Sequence, residues 1–332
     1  APVEPPAPVA SATSSTKDHP PASVLDSLAS TRWESAAGDK SPALTLDLGT
    51  SREFGGLVLD WGEGLAARDY VIELDDGDGR WRLAREVHGS DGGRDWLALP
   101  ESEARRIRVR TLARPGRTVA LSEVQLMPLA WAATSERFLT AVAHDSPRGH
   151  FPRGFLGEQS YWTVVGVDGG ADEGLLDEDA RLETGRAQFS LEPFLLTEQG
   201  LRGWADGQSE QSLAHGSLPI PTTTRFVDSL ALEVTVFARG ERGHSALVAR
   251  YRLRNLETRS RAVTLLIALR PFQVNPPSQF LNVPGGPARI ASLAREGSLI
   301  RVNGDRGVTC LTPAESFGAM TFDEGDLVSR RE

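Results

Sequence analysis

The chain has 332 residues, 39% hydrophobic and 24% charged, which is the length of two domains and a composition able to bury two cores. Its net charge of −9 lacks the basic footprint that releases phosphate counterions, which argues against nucleic acid as a partner. A single cysteine, Cys310, rules out an internal disulfide or thiolate zinc cluster, and no apolar run reaches the roughly 18 residues of a membrane span.

Residues 1–22, "APVEPPAPVASATSSTKDHPPA", are Pro-, Ala- and Ser-rich and read as a disordered tether, too poor in apolar side chains to offset the entropy of ordering. The first residue is Ala, as in an exported chain that has lost a signal peptide, so a secreted, periplasmic or cell-envelope location is expected. From 44 to 126 short alternating stretches follow one another: "ALTLDLG", "FGGLVLDWG", "DYVIELDDGDG", "RWRLAREV", "RRIRVRTL" and "VALSEVQL". Clusters such as "GEGLAARD" and "HGSDGGRD" separate them, the texture of an antiparallel sandwich. In "RRIRVRTL", Ile107, Val109 and Thr111 share the apolar face and the arginines the other, while Trp33 and Trp81 are expected in the core.

Residues 131–150 predict a short helical connector, capped at Thr134 or Ser135 and ended by Pro147 and Gly149. Beyond 151 the strands lengthen ("LALEVTVFARG", "SALVARYRLRN", "AVTLLIALRPFQV"), suggesting a larger two-sheet sandwich through residue 332. The closing "AMTFDEGDLVSRRE" reads as a strand cut from a longer protein.

Several groups carry candidate chemistry. The acid run Asp172, Glu173, Asp177, Glu178, Asp179 and Glu183 reads as a solvated loop, and Glu192 in "FSLEPFL" as a buried acid held by an arginine. Cys310 in "GVTCLTP" looks like a core cysteine within a strand. No G-x-S-x-G elbow or H-E-x-x-H pair is present. The loop "FQVNPPSQFLNVPGG" sets Asn275, Gln279, Phe280 and Asn282 close together, suited either to a sugar cleft or to a rigid interdomain contact.

The first domain resembles the coagulation factor 5/8 C-terminal, or discoidin, family. "VLDSLASTRWES" resembles its opening motif, "LTLDLG" the next strand, "YVIELDDGDGRWRLAREV" the mid-domain signature, and "RRIRVRTL" with "ALSEVQL" the closing strands. The likeness runs from about Ser23 to Leu129. It implies an all-β chain: a discoidin-like jelly roll over 23–130, then the larger antiparallel sandwich of 151–332. It also implies a recognition module for glycans, lipid headgroups or proteins. The missing disulfide leans towards the carbohydrate-binding members.

The family often carries a structural calcium, and the matching positions are Asp26, Thr31 and Glu123, oxygen donors of the kind calcium takes six to eight of. The family's Gly after the Asp is Ser27 here. For a glycan the candidates are Trp61 and Trp96, which flank loops and are either sugar platforms or packing, and His88, Asp91 and Arg94 as hydroxyl partners. The second half resembles, in texture, the β-sandwich that precedes the (α/α) barrel of bacterial glycoside hydrolases and phosphorylases, which implies a helical catalytic domain downstream. The leading expectation is a non-catalytic, carbohydrate-binding N-terminal part of an exported bacterial glycan-active protein. The alternatives are an adhesion or protein-interaction module, or a glycosidase whose own carboxylates face each other across the scissile bond.

Overall fold

A computed structural model describes residues 5–112 and 117–325. The chain divides into two compact units: unit 1 takes residues 1–138 with 320–330, and unit 2 takes 139–319. Both are antiparallel β, as expected, and the division falls inside α1 (Ser135–His144), the one α-helix among the described residues. Thr134 caps α1, its hydroxyl oxygen accepting the Arg137 N–H at 3.2 Å.

Unit 1 is one seven-stranded sheet system. In chain order its strands are β1 (Val9–Ala12), β2 (Trp33–Glu34), β3 (Ala43–Trp61), β4 (Tyr70–Asp75), β5 (Arg82–Val87), β6 (Arg94–Thr111) and β7 (Ala120–Met127). Their order across the sheet is β2-β7-β3-β6-β4-β5, with β1 also on β3. β3 and β6 run antiparallel for nearly their whole lengths, slipping register twice, so each serves two consecutive parts of the jelly roll. Leu57, Leu59 and Trp61 point inward with Leu97, and Leu44, Leu46, Ile72, Leu74, Ile107 and Val109 complete the core.

The tether expectation is corrected from residue 9 onward. β1 pairs with β3 from Val9↔Asp47 to Ala12↔Leu44, and the Trp33 Nε1–H donates to the Ser14 carbonyl at 2.9 Å. An edge strand held by its backbone ladder needs no large side chains, so its Ala/Ser/Thr composition is compatible with order. Trp33 is buried as expected, whereas Trp81 is not in the core: it lies half-buried under the Arg108 guanidinium, 4.0 Å from the ring centroid. On the outer face of β4 and β6, Glu73 accepts from Arg108 at 2.7 Å and from Arg110 at 2.8 and 3.0 Å.

Unit 2 packs two sheets face to face. One holds β8 (Trp162–Val165), β9 (Gly174–Asp177), β10 (Leu182–Glu183), β11 (Ser190–Thr197) and β12 (Gly200–Arg202), with β17 (Thr264–Arg270) joining β11. The other is β13 (Gln208–Ala214), β14 (Leu218–Val227), β15 (Leu230–Glu241) and β16 (His244–Asn255). Leu176, Leu182, Leu191 and Leu195 meet Val227, Leu232, Val234 and Val236 between them. Ile300 and Val302, from the small sheet β18 (Leu293–Glu296), β19 (Leu299–Val302) and β20 (Arg306–Thr309), join that core. Cys310 follows directly after β20, outside the strand, and is half-buried against this core. Among the described residues no helix is long and apolar enough to cross a membrane.

The Glu73 carboxyl is held below its ordinary value of 4.5 by Arg110 first, against the cost of burial, and then by Arg108. The unfolded chain therefore takes up this proton at a higher pH than the folded chain. The contribution is fully present above about pH 4.5 and is lost as pH falls through the lower folded value. Glu73→Gln should cost about 1 kcal/mol at pH 7 and flatten the acid limb of stability against pH. Denaturant unfolding from pH 7 to pH 3 checks this, and an unchanged acid slope contradicts it.

Candidate functional site

Alternation along β3 and β6 decides which candidates are accessible. The register pairs Leu57↔Leu97, Val58↔Trp96, Leu59↔Asp95 and Asp60↔Arg94. Trp61 therefore continues the inward series of Leu57 and Leu59, and at 6% exposure it cannot offer a platform to a sugar ring. Its Nε1–H donates to the Asp95 Oδ2 at 2.7 Å, and its ring lies 5.1 Å from that of Tyr70. This corrects Trp61 as a binding candidate.

Asp95, which sequence reasoning passed over, is the buried hub of this end of the module. Besides Trp61 it accepts the Tyr70 hydroxyl at 2.6 Å and the Ser90 hydroxyl at 2.9 Å. The Ser90 oxygen in turn accepts the Gly92 N–H at 3.2 Å, which fixes the β5–β6 loop. Burial raises the Asp95 carboxyl above its usual range, against the pull of the Tyr70, Trp61 and Ser90 donors.

The outward positions of β6 carry Arg94 and Trp96. Arg94 grips Asp60 with two bonds, Nε–Oδ1 at 2.7 Å and Nη2–Oδ2 at 2.9 Å, and Trp96 is half-exposed. The exposed His88 sits at the head of the loop, its ring nitrogens 3.1 Å from Glu86 and 3.4 Å from Asp69. The exposed Asp91 is on the same loop. Unit 1 thus gathers His88, Asp91, Arg94 and Trp96 along one stretch, residues 88–96, as a polar loop running into an outward strand face.

The second candidate group is an oxygen cluster in the opening loop. The Thr31 Oγ1 lies 2.8 Å from both carboxylate oxygens of Asp26 and 2.9 Å from the Leu28 carbonyl. One hydroxyl proton cannot serve three acceptors at once. The Glu123 Oε2 is tied to the same loop by the Ser27 N–H at 3.1 Å, and across β3 and β7 Glu123 is opposite Asp60. Burial raises the Glu123 carboxyl, and the negative charges of Asp26 and Asp60 push it further up. A surplus of acceptors over protons around one hydroxyl is the kind of oxygen donor set that suits a hard cation. No group of three His, Cys, Asp or Glu that could hold a metal is brought together among the described residues. Ser27 has a φ of +61°, which explains the glycine of the related motif: the position is left-handed, and Ser accepts the strain.

In unit 2 the "FQVNPPSQFLNVPGG" loop divides. Gln279, Phe280 and Asn282 are exposed, Phe280 at 70%, and the Phe280–Pro284 bridge closes a small turn. Asn275 is buried at 1% exposure, its N–H donating to the Glu183 Oε2 at 3.1 Å, so it does not share their surface. The acid run is corrected too: Asp177, Asp179 and Glu183 are buried. Asp177 pairs with Arg181 at 2.7 Å and Asp179 with Arg153 at 2.6 and 2.7 Å. Glu183 accepts the N–H groups of Ala187, Val274 and Asn275. Glu192 is held by Arg270 at 3.1 Å, as its sequence setting suggested.

With the geometry in place, the chain can be set beside known proteins. Residues 9–124 match the F5/8 type C domain. This stretch is an F5/8 type C domain. No curated protein matches the chain. Among solved structures it is similar to a Ruminococcus gnavus GH29 fucosidase in complex with fucose, at 23% identity, over 36% of this chain and 25% of that one, with a TM-score of 0.34. It is similar to chitosan-binding module 2 of a Paenibacillus chitosanase/glucanase, in complex with chitotriose, at 23% identity over 36% and 95%, with a TM-score of 0.34. The third is the family 32 carbohydrate-binding module of Clostridium perfringens NanJ, in complex with galactose, at 20% over 36% and 92%, with a TM-score of 0.34. This chain therefore spans a quarter of the fucosidase and nearly all of each isolated module.

Replacing Asp95 with Ala leaves the Tyr70, Trp61 and Ser90 donors buried without their acceptor, so unfolding free energy should fall by about 3 kcal/mol. Chemical denaturation of Asp95→Ala checks it; a loss below about 0.5 kcal/mol, the size of a surface substitution, would contradict the hub.

Proposed function

We propose that unit 1 is a calcium-stabilised glycan-binding module and that unit 2 is a non-catalytic scaffold, within an exported bacterial glycan-active protein. The observation that carries the reading is the F5/8 type C match over residues 9–124. The local geometry supports it. Residues 88–96 supply imidazole, carboxylate, guanidinium and indole groups, the kinds that hold sugar hydroxyls and stack on a C–H face. Asp26, Thr31, the Leu28 carbonyl and Glu123 are the donors we assign to calcium, which would neutralise the facing carboxylates and lock the opening loop.

For unit 2, Arg153, Arg181 and Arg270 occupy Asp179, Asp177 and Glu192, and bound acids of this kind serve packing. Its exposed Gln279–Phe280–Asn282 turn is the candidate contact of the scaffold with glycan or with a downstream helical catalytic domain.

The test is binding of the full chain to neutral, amino and acidic glycans, with calcium or with EDTA. At about 100 times its dissociation constant calcium should add about 2.7 kcal/mol to unfolding free energy. Glu123→Gln should abolish that gain, and Trp96→Ala should weaken glycan binding at least tenfold. A protein that retains no glycan, or that is equally stable in EDTA, sinks the corresponding half.

A further inference from the structure

Unit 1 is completed by a piece of chain that returns after the whole of unit 2. Residues 320–325 belong to unit 1, and Phe322–Glu324 form a 3-10 turn where the sequence suggested a strand; residues 326–332 of that expected strand lie outside the described residues. The turn is built to hold its shape. The Thr321 N–H and hydroxyl both donate to the Glu324 Oε2, at 2.6 and 3.0 Å, and the Gly325 N–H donates back to the Phe322 carbonyl at 3.2 Å.

Its side chains meet the candidate binding loop. The Arg85 Nη2 donates to the Asp323 Oδ1 at 2.6 Å, while the Arg85 Nη1 is fixed on the Ala98 carbonyl at 3.1 Å. The Phe322 ring meets Phe138 edge-on at 5.5 Å, and Phe138 meets Trp131 at 5.1 Å. A methyl group at Gly89 would lie 3.2 Å from the Glu324 side chain, and one at Gly325 would run into the Asp91 carboxylate. The segment therefore abuts Gly89 and Asp91, part of the loop named above for sugar hydroxyls.

We infer that residues 321–325 are a self-ligand, clasped over a carboxylate-reading rim made of Arg85, the 88–91 loop and Phe138, and that the ligand class able to replace it is an acidic, uronate-bearing glycan. The ligand half rests on the glycan-binding reading of this module. What the segment offers defines what must replace it: a carboxylate for Arg85 and an apolar face for Phe138. A uronate supplies both, and its hydroxyls reach His88 and Asp91, whereas a neutral sugar leaves Arg85 without its anion. The hold is of a kind that opens. Arg85 and Asp323 are each a quarter exposed, and Phe322 is 43% exposed. One part-buried ion pair and an edge-on ring contact together favour the closed form by on the order of a hundredfold.

Hydrogen exchange of residues 88–92 in the full chain tests the clasp. Phe322→Ala/Asp323→Asn should speed exchange there at least tenfold, and added peptide Thr-Phe-Asp-Glu-Gly should restore protection; equal exchange in both proteins overturns the clasp. Oligogalacturonate should bind the double variant about tenfold more tightly than the unaltered chain, an advantage that Arg85→Ala removes and that maltohexaose does not show. Faster exchange without that gain overturns the ligand class and leaves the clasp standing. If neither protein binds any glycan while exchange still responds, the glycan-module reading has failed and the clasp has not.

Discussion

The pairing of β3 with β6 is the constraint on which unit 1 depends. These two strands, 19 and 18 residues long, thread the core and carry the candidate surface on their other face. Because side chains alternate, one register assigns every role at once: Leu57, Leu59, Trp61, Asp95 and Leu97 inward, Asp60, Arg94 and Trp96 outward. A slip of one residue would bury Arg94 against Leu59 and put Asp95 in water. Asp95 guards against that slip, since its carboxylate finds three donors only on the inside.

The same alternation was legible in the sequence, and two residues show how far. "LVLDW" sets Leu57, Leu59 and Trp61 on one face with Asp60 on the other, enough to place Trp61 inside despite its neighbouring loop. "RDWLAL" likewise puts Asp95 in phase with Leu97 and Leu99, and a polar residue in an apolar phase marks a buried hub. The succession of strands and the capped helix could be read, because each rests on local pattern or a local motif. Composition misled at the two ends. β1 is ordered through its backbone, and the 321–325 turn is held by Arg85 and Phe138, more than 180 residues away.

Unit 2 shows the opposite limit. A run rich in acids reads as a solvated loop until its cations are known, and here one, Arg181, sits inside the run while the other, Arg153, lies 26 residues before its partner Asp179. Burying such pairs costs desolvation that their attraction barely offsets, so their value lies in fixing one arrangement of strand ends. Asp177, Arg181 and Asp179 fix the β9–β10 turn, Glu183 ties β10 to the segment after β17, and Glu192 joins β11 to Arg270 at the end of β17.

Recognition by the outward phase of β6 is the claim that the rest of the account serves. Oxidative footprinting of the tryptophans, with and without a saturating glycan, separates the two phases directly. The account predicts that Trp96 becomes protected while the already buried Trp61 does not change. Glycan-dependent change at Trp61, or none at Trp96 with glycan demonstrably bound to unit 1, would contradict it.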